Sequence, residues 1–335
     1  MRLLPFLILA TVALAVPARA EQPIRYGERL EGFEYPWPVR EFTFRSQDQA
    51  LAMAYMDVAP RGTANGRSVV LLHGKNFCAA TWEETIRVLT GAGYRVLAVD
   101  QVGFCKSSKP RGYQFSFPQL AANTHALLEQ AGVRHPVVMG HSMGGMLAAR
   151  YALQYGDEVA QLVMVDPLGL EDWQAKGVPY ATIEQNAEAE RTTSAGSIKA
   201  YQLKFYYDGQ WKPQYQRWVD MQAGLYAGDG AAIVAWNQAQ ASDMIFTQPV
   251  LHEFPRLRVP TVLVVGGKDR TAPGANRASP ALAASLGRYD RLGMQAAKAI
   301  PGARLIEFTD LGHAPQMEAP ERFHAALLPA LRARD

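Results

Sequence analysis

One short segment near the middle of the chain limits the possible folds more than any other. An apolar run at residues 137–139 leads into a G-x-S-x-G pattern at residues 140–144, centred on Ser142, and mostly small and apolar residues follow as far as Ala152. Glycines two residues before and two residues after a serine leave room for a sharp turn between a strand and a helix. The segment therefore predicts a strand, a tight turn and a helix, with the Ser142 hydroxyl exposed above a sheet. An ordinary serine N-cap is the alternative interpretation.

Strand-like and helix-like segments alternate along most of the chain, after a hairpin-like pair at residues 40–46 and 51–58. This alternation predicts an α/β fold with a mostly parallel, doubly wound sheet. The tetrapeptide at residues 81–84 has the pattern of a capping box and predicts the start of a helix. Apolar, β-branched runs begin at about these positions: Ser68, Tyr94, Val137, Gln161, Thr261 and Ala303.

The alternation stops between residues 167 and 246, where helix-like periodicity continues without strand-like runs. This stretch is rich in Tyr, Trp and Phe. We interpret it as a helical lid inserted into a core formed by residues 21–166 and 247–335, and a lid at this point would hang over the sheet edge that bears Ser142. Most of its aromatic residues would form the lid's own core and a few would line a pocket. A second irregular stretch, residues 271–293, begins as a loop that borders the same edge, and the sequence assigns it no function.

Two further polar residues follow strand-like runs in positions that suit a serine nucleophile. Asp269 comes shortly after the run at residues 262–265, and His313 comes shortly after the run at residues 303–308. Because the loops after parallel strands gather at one edge of a sheet, Ser142, Asp269 and His313 can converge. Serine is a weak nucleophile at neutral pH; an imidazole can take its proton, and a carboxylate can orient that imidazole and stabilise its charged form.

The acid and the base each have a rival in the sequence. Asp166 ends the strand-like run after the helix of the serine, so it competes with Asp269 as the orienting acid; we favour Asp269 because its position, near the edge that carries the histidine, is the commoner one. If so, Asp166 is expected to bind backbone amides of the turn at residues 167–169. His252 and His324 are the alternatives to His313.

Motifs upstream of Ser142 add a family resemblance that covers nearly the whole chain after residue 20. His73-Gly74-Lys75-Asn76 follows a strand-like run, and residues 100–107 match a D-x-x-G-x-G-x-S pattern except that Cys105 replaces the second glycine. Together with the serine motif, these segments resemble an α/β-hydrolase of the esterase, lactonase and perhydrolase kind. The resemblance implies that the backbone N–H groups of Lys75 and Met143 hold the oxyanion. Met143 would also open a helix, where the first amides lack partners.

The resemblance implies a serine hydrolase that cleaves a carboxylic ester or lactone through an acyl-enzyme. Aromatic residues in the lid favour a small-molecule substrate with an apolar or aromatic acyl group. Proline-iminopeptidase-like and haloperoxidase- or perhydrolase-like activities share the same three residues and stay as alternatives, as does a non-catalytic binding protein. Ser142 in place of a carboxylate disfavours haloalkane dehalogenases and epoxide hydrolases.

Charge and motif content argue against several other functions. The formal net charge is +3, and Lys and Arg are scattered rather than clustered with aromatic residues, so no nucleic-acid partner is expected. The sequence contains no P-loop, no zinc-type ligand spacing and no dinucleotide-binding glycine motif. The chemistry proposed needs no metal or cofactor. The oligomeric state is left open.

The first twenty residues have the pattern of a secretory signal peptide. Arg2 precedes an apolar stretch at residues 3–16, and Ala18-Arg19-Ala20 fits a small-x-small cleavage site. A transmembrane helix is the alternative, but the stretch is short and contains Pro5. We therefore predict a periplasmic or secreted protein.

The two cysteines fall in loops at the same predicted sheet edge. Cys78 follows the Lys75 loop, and Cys105 follows the next strand-like run. In an oxidising compartment such a pair is a disulfide candidate. Two buried free thiols are the alternative.

Overall fold

Eight strands form one sheet in a computed structural model that describes residues 24–331. The signal peptide predicted at residues 1–20 lies outside the described residues. Most predicted strands begin within one residue of their observed starts. In chain order the strands are β1 Val39–Ser46, β2 Gln49–Val58, β3 Ser68–Leu72, β4 Arg95–Val99, β5 Val137–His141, β6 Gln161–Val165, β7 Thr261–Gly266 and β8 Arg304–Phe308.

The sheet has the order β1-β2-β4-β3-β5-β6-β7-β8. Strand β2 pairs antiparallel with β1 and β4, and all the other neighbours are parallel. The strand order reverses at β3, which lies between β4 and β5. In an open parallel sheet, a crevice forms beyond the carboxyl ends of the strands at such a switch point. The loops after β3 and β5 carry Lys75 and Ser142, so both residues lie at this crevice.

Helices cover both faces of the sheet, as a doubly wound fold requires. Strand β3 places Val70 and Leu72 in one apolar layer and Val69 and Leu71 in the other. Helices α2, α3 and α9 contribute to the first layer, and α1 and α11 contribute to the second. The helices are α1 Glu83–Gly91, α2 Phe117–Gln130, α3 Met143–Gln154, α4 Ile183–Arg191, α5 Ala195–Tyr201, α6 Gln216–Ala227, α7 Ala231–Thr247, α8 Pro280–Ser285, α9 Tyr289–Ala299, α10 Pro315–Glu318 and α11 Pro320–Leu331.

The chain between β6 and β7 forms helices α4 to α7 and, in the part that the structure describes there, no strand. Helix α5 continues into a π-helical segment at Gln202–Tyr206. The role of residues 167–246 as a lid stays a prediction. Within residues 24–331, no helix is both long enough and apolar enough to cross a bilayer.

The capping box predicted at residues 81–84 is wrong. Helix α1 begins at Glu83, its N-cap is Trp82, and no side chain caps it. The Thr81 hydroxyl instead donates to the Cys78 carbonyl oxygen, 2.7 Å away, within a 3-10 turn at Ala79–Trp82. The chain therefore enters the helix through a tighter turn, which uses the hydroxyl that a cap would need.

Candidate active site

Ser142 occupies a strained turn between β5 and α3. Its backbone has φ +57° and ψ −120°, a conformation that residues other than glycine rarely adopt. A Cβ on Gly140 would overlap the carbonyl oxygen of Gly144, and a Cβ on Gly144 would overlap that of Leu72. Both glycines are thus required by close backbone approach, which is the physical reason for the G-x-S-x-G pattern.

The structure brings Asp269 and His313 into contact. The Asp269 Oδ2 atom lies 2.5 Å from His313 Nδ1, and both side chains are fully buried. The other carboxylate oxygen of Asp269 accepts from the Thr271 amide at 2.7 Å. Because a carboxylate only accepts, this contact places the imidazole proton on Nδ1 and leaves Nε2 as the free acceptor.

His313 lies at the same cavity as Ser142, and its free nitrogen is buried. Both residues line this cavity, and among the described residues His313 Nε2 has no hydrogen-bond partner. No direct hydrogen bond joins Ser142 Oγ to His313 Nε2 in the part of the chain described. Contacts of this kind are commonly longer without substrate and tighten when it binds. The geometry can therefore supply a base whose acceptor nitrogen is unpaired, in a residue that shares its cavity with the serine.

Two neighbouring elements fix the backbone of His313. Its amide donates to the Phe205 carbonyl oxygen in the π-helical segment at 3.0 Å. Its carbonyl oxygen accepts from His141 Nε2 at 2.7 Å. Burial lowers the pKa of His141 well below its usual value, so that ring stays neutral and its Nε2 proton is the donor. The Tyr206 ring lies against His313, with the two ring centres 5.1 Å apart.

The two amides suggested for the oxyanion are both free. Among the described residues, the backbone N–H groups of Lys75 and Met143 make no hydrogen bond. Met143 is the first residue of α3, so its amide has no intrahelical partner and lies at the positive end of the helix dipole. These amides are thus available to a developing negative charge.

The side chain of Lys75 makes a contact that the sequence did not indicate. Its Nζ atom lies 2.6 Å from Glu190 Oε1 on α4, and the Tyr226 hydroxyl donates to Glu190 Oε2 at 2.5 Å. Next to it, Asn76 Nδ2 donates to the Tyr206 hydroxyl at 2.9 Å. The loop after β3 is therefore tied to the helices between β6 and β7. No sequence signal identifies these partners, which are more than a hundred residues away.

The rival residues have other contacts. Asp166 has φ +37°, and its Oδ1 atom accepts from the Gly266 amide at 2.8 Å, so the predicted contact with the turn at residues 167–169 is wrong. Burial, together with the nearby Asp269 charge, raises the pKa of Asp166 well above its usual value. His252 binds Asp172 at the surface, and His324 binds Thr85.

Cys78 and Cys105 form a disulfide, with their Cα atoms 5.8 Å apart. The bond links the loop after β3 to the loop after β4. Asp100 lies beside it and is the third member of the one group of His, Cys, Asp and Glu side chains in residues 24–331 that could hold a metal ion. Asp100 accepts from the Ala79 amide and from Tyr35, and the disulfide occupies both sulfur atoms. In this form the group does not fit a metal.

A cavity of 660 Å³ opens above Ser142 and His313. Four aromatic residues from the segment between β6 and β7 line it, which the sequence could not single out: Tyr201, Phe205, Tyr206 and Phe246. Four charged side chains also line it: Lys75, Glu190, Lys204 and Arg277. The volume suits a small organic molecule rather than a polymer.

Comparisons with known proteins agree with this architecture. The sequence profile described as "alpha/beta hydrolase fold" matches residues 67–320. A crystal structure of a "probable hydrolytic enzyme" from Pseudomonas aeruginosa is 59% identical, with a TM-score of 0.92 over 93% of this chain and 99% of that one. Lipase 1 of Psychrobacter immobilis is 26% identical over 290 residues, 84% of this chain and 80% of that protein. An esterase from Exiguobacterium antarcticum shares the fold at 20% identity, with a TM-score of 0.68 over 87% of this chain and 99% of that one. On these grounds, the chain belongs to the alpha/beta hydrolase fold family.

Proposed function

We propose that this protein is a serine hydrolase that cleaves a carboxylic ester or lactone through an acyl-enzyme. The observation that carries the proposal is the arrangement of His313, whose Nδ1 is bound to buried Asp269 while its own buried Nε2 has no partner among the described residues, in a residue that lines the same cavity as Ser142. A histidine held in this way is a base for an adjacent hydroxyl.

In the first half of the reaction, Ser142 Oγ attacks the substrate carbonyl carbon and His313 Nε2 takes the serine proton. Asp269 stabilises the imidazolium that results. The amides of Lys75 and Met143 bind the oxyanion, and loss of one such donor typically costs about 3 kcal/mol in barrier. His313 then protonates the leaving alcohol. In the second half, water repeats the attack on the acyl group with His313 as base, and Ser142 is released.

The helices of residues 167–246 act as a lid in this proposal. Their aromatic side chains and Leu168 surround an apolar acyl chain above Ser142. An aminopeptidase would need a free carboxylate for the substrate amine. The cavity carboxylate, Glu190, is already paired with Lys75, which favours esters and lactones over peptides.

The proposed enzyme works outside the cytoplasm, in the periplasm or after secretion. The signal-like pattern of residues 1–20 is the basis of this proposal. The disulfide between Cys78 and Cys105 supports it, because such bonds persist in oxidising compartments. Fractionation of the producing cells tests it, and recovery of the full-length chain in the cytoplasm would contradict it.

The activity is tested with p-nitrophenyl esters of increasing acyl length, lactones and aminoacyl amides. We expect hydrolysis of esters or lactones and not of amides. Ser142→Ala should lose at least ~10⁴-fold in kcat, because the substitution removes the attacking hydroxyl. Ser242→Ala is the matched control, since Ser242 lines the same cavity and has no part in the mechanism. Equal loss in both variants, or full activity of Ser142→Ala, would contradict the proposal.

A further inference from the structure

Arg277 lies in the irregular stretch to which the sequence assigned no function. It ends a 3-10 turn at Ala275–Arg277 and lines the cavity above Ser142. Its guanidinium carbon lies 5.2 Å from the centre of the Phe246 ring, and its Nε atom donates to the Pro179 carbonyl oxygen at 2.9 Å. The side chain is thus held in place by an aromatic face and one backbone oxygen.

No carboxylate pairs with Arg277 among residues 24–331. Two other partly buried arginines of the same chain do have such partners: Arg95 binds Asp57, and Arg150 binds Glu253. Partial burial, with no nearby charge to offset it, lowers the pKa of Arg277. A partly buried cation that lacks a counter-ion is favourable for an anionic ligand, which would supply the missing charge.

The terminal nitrogens of Arg277 are open to such a ligand. Within the described chain neither Nη1 nor Nη2 donates a hydrogen bond to protein. Two parallel N–H groups in the plane of a guanidinium match the two oxygens of a carboxylate. Because the hydrogen bond to Pro179 already fixes Nε, Arg277 can bind a ligand carboxylate with little further loss of side-chain freedom.

The remaining charges of the cavity add to this preference. Lys75 and Glu190 neutralise each other. Lys204 lies over the Phe205 ring at 5.0 Å, and no ion pair involves it in the part of the chain described. The cavity wall therefore presents two uncompensated cations to its contents, Lys204 and Arg277.

We propose that the substrates of this enzyme carry a carboxylate in addition to the scissile ester or lactone, and that Arg277 binds this carboxylate. The inference rests on the proposed function for the bond that is cleaved, and it adds the substrate class. Apolar and aromatic residues of the lid surround the chain between the two groups, while Arg277 holds its charged end.

Paired esters with and without a carboxylate test the preference. In an acyl-side series, p-nitrophenyl monoesters of succinic, adipic and suberic acid are compared with p-nitrophenyl esters of butanoic, hexanoic and octanoic acid. In an alcohol-side series, 4-carboxyphenyl hexanoate is compared with phenyl hexanoate. We expect kcat/KM to favour the carboxylate member of at least one pair by about 10- to 100-fold, the range of a charge-assisted hydrogen-bonded pair. Equal or lower values for every carboxylate member would overturn the inference.

Substitution of Arg277 tests its role. Arg277→Gln should remove the preference, mainly through KM, and leave the uncharged esters within about twofold, because the reacting groups are untouched. Arg277→Lys should restore part of the preference, since it keeps the charge and loses the planar pair of donors. Arg258→Gln is the control: Arg258 also donates to a backbone carbonyl oxygen but does not line the cavity. Equal losses on charged and uncharged esters in Arg277→Gln would contradict the assignment.

Binding of free adipate to the Ser142→Ala variant, measured by calorimetry, separates this inference from the proposed function. We expect adipate binding that weakens with added salt. Binding should be lost when Arg277→Gln is combined with Ser142→Ala, and kept when Arg258→Gln is combined with it instead. If the wild type hydrolyses no ester while adipate binds in this Arg277-dependent way, the proposed reaction fails and the carboxylate site stands. If adipate does not bind and hydrolysis shows no preference, the carboxylate site fails.

Discussion

Asp166 and Asp269 are both fully buried, yet their surroundings give them different chemistry. Asp269 accepts from His313 and from the Thr271 amide. Asp166 accepts only from the Gly266 amide, and its second oxygen has no partner in the part of the chain described. The first arrangement suits an ionised carboxylate that orients a histidine, and the second suits a neutral carboxyl group.

We therefore expect Asp269→Asn to lower kcat by up to ~10⁴-fold at neutral pH, because an amide can bind the wrong imidazole tautomer and cannot stabilise the imidazolium. Asp166→Asn should change kcat by only a few-fold. Steady-state kinetics on a p-nitrophenyl ester measure both. A reversed order of the two losses would assign the orienting role to Asp166.

Asp166 also gives a pH-dependent prediction for stability. Its pKa is raised in the folded state by burial and then by Asp269, so the folded state holds the proton more tightly than the unfolded state does. The free energy of unfolding should therefore fall as pH rises from about 4 towards the folded pKa. The asparagine in the Asp166→Asn variant cannot ionise, so the contribution of this residue to the decrease in the free energy of unfolding should be absent. Urea unfolding at several pH values tests this prediction. It would be contradicted if the difference in free energy of unfolding between variant and wild type did not change with pH.

The contacts of individual residues were predictable only in part. Asp269 and His313 meet because each follows a parallel strand, and strand positions can be inferred from apolar, β-branched runs. Arg277, Glu190 and the Gly266 partner of Asp166 could not be inferred, because those contacts depend on the packing of segments far apart in the sequence. The catalytic roles of Ser142, Asp269 and His313 stay predictions until they are measured.

At the scale of elements, the disulfide connects the loop that carries Lys75 to the loop after β4. It closes a sequence separation of 27 residues. The loop after β3 and the π-helical segment line the cavity, and the disulfide braces that loop against the loop after β4, so the bond bears on how well the parts of the site stay aligned.

A Cys78→Ser, Cys105→Ser double variant should lower the free energy of unfolding by about 3 kcal/mol, because the unfolded chain regains the freedom that the closed loop removes. Denaturant unfolding under non-reducing conditions measures the loss. The wild type should show no free thiols when it is denatured without reductant. Two titratable thiols in that sample would contradict the pairing.

Strands were predicted more accurately than helix ends for a physical reason. A strand buried on both faces needs a continuous apolar run, and that run is visible in the sequence. The 3-10 turn before α1 and the π-helical segment at Gln202–Tyr206 depend on local hydrogen bonds, such as the one from the Tyr207 amide to the Gln202 carbonyl oxygen. Such bonds do not alter the 3.6-residue period that identifies a helix.

At the scale of the whole molecule, the order of elements explains where the site lies. Alternating strands and helices predict the parallel sheet, and its switch point places the loops after β3 and β5 side by side. The polarity of the cavity was not predictable. It depends on how α4, the π-helical segment and the turn at Ala275–Arg277 pack over the sheet edge, and the sequence gives their helical character without their orientation.

The central claim is that Ser142 is a nucleophile activated by His313. Reaction with a fluorophosphonate, followed by peptide mass spectrometry, tests it most directly. We predict one adduct, located on Ser142, which is absent in Ser142→Ala and forms far more slowly in His313→Ala, while both variants keep the wild-type circular dichroism spectrum. An adduct on another residue, or undiminished labelling of either variant, would contradict the account.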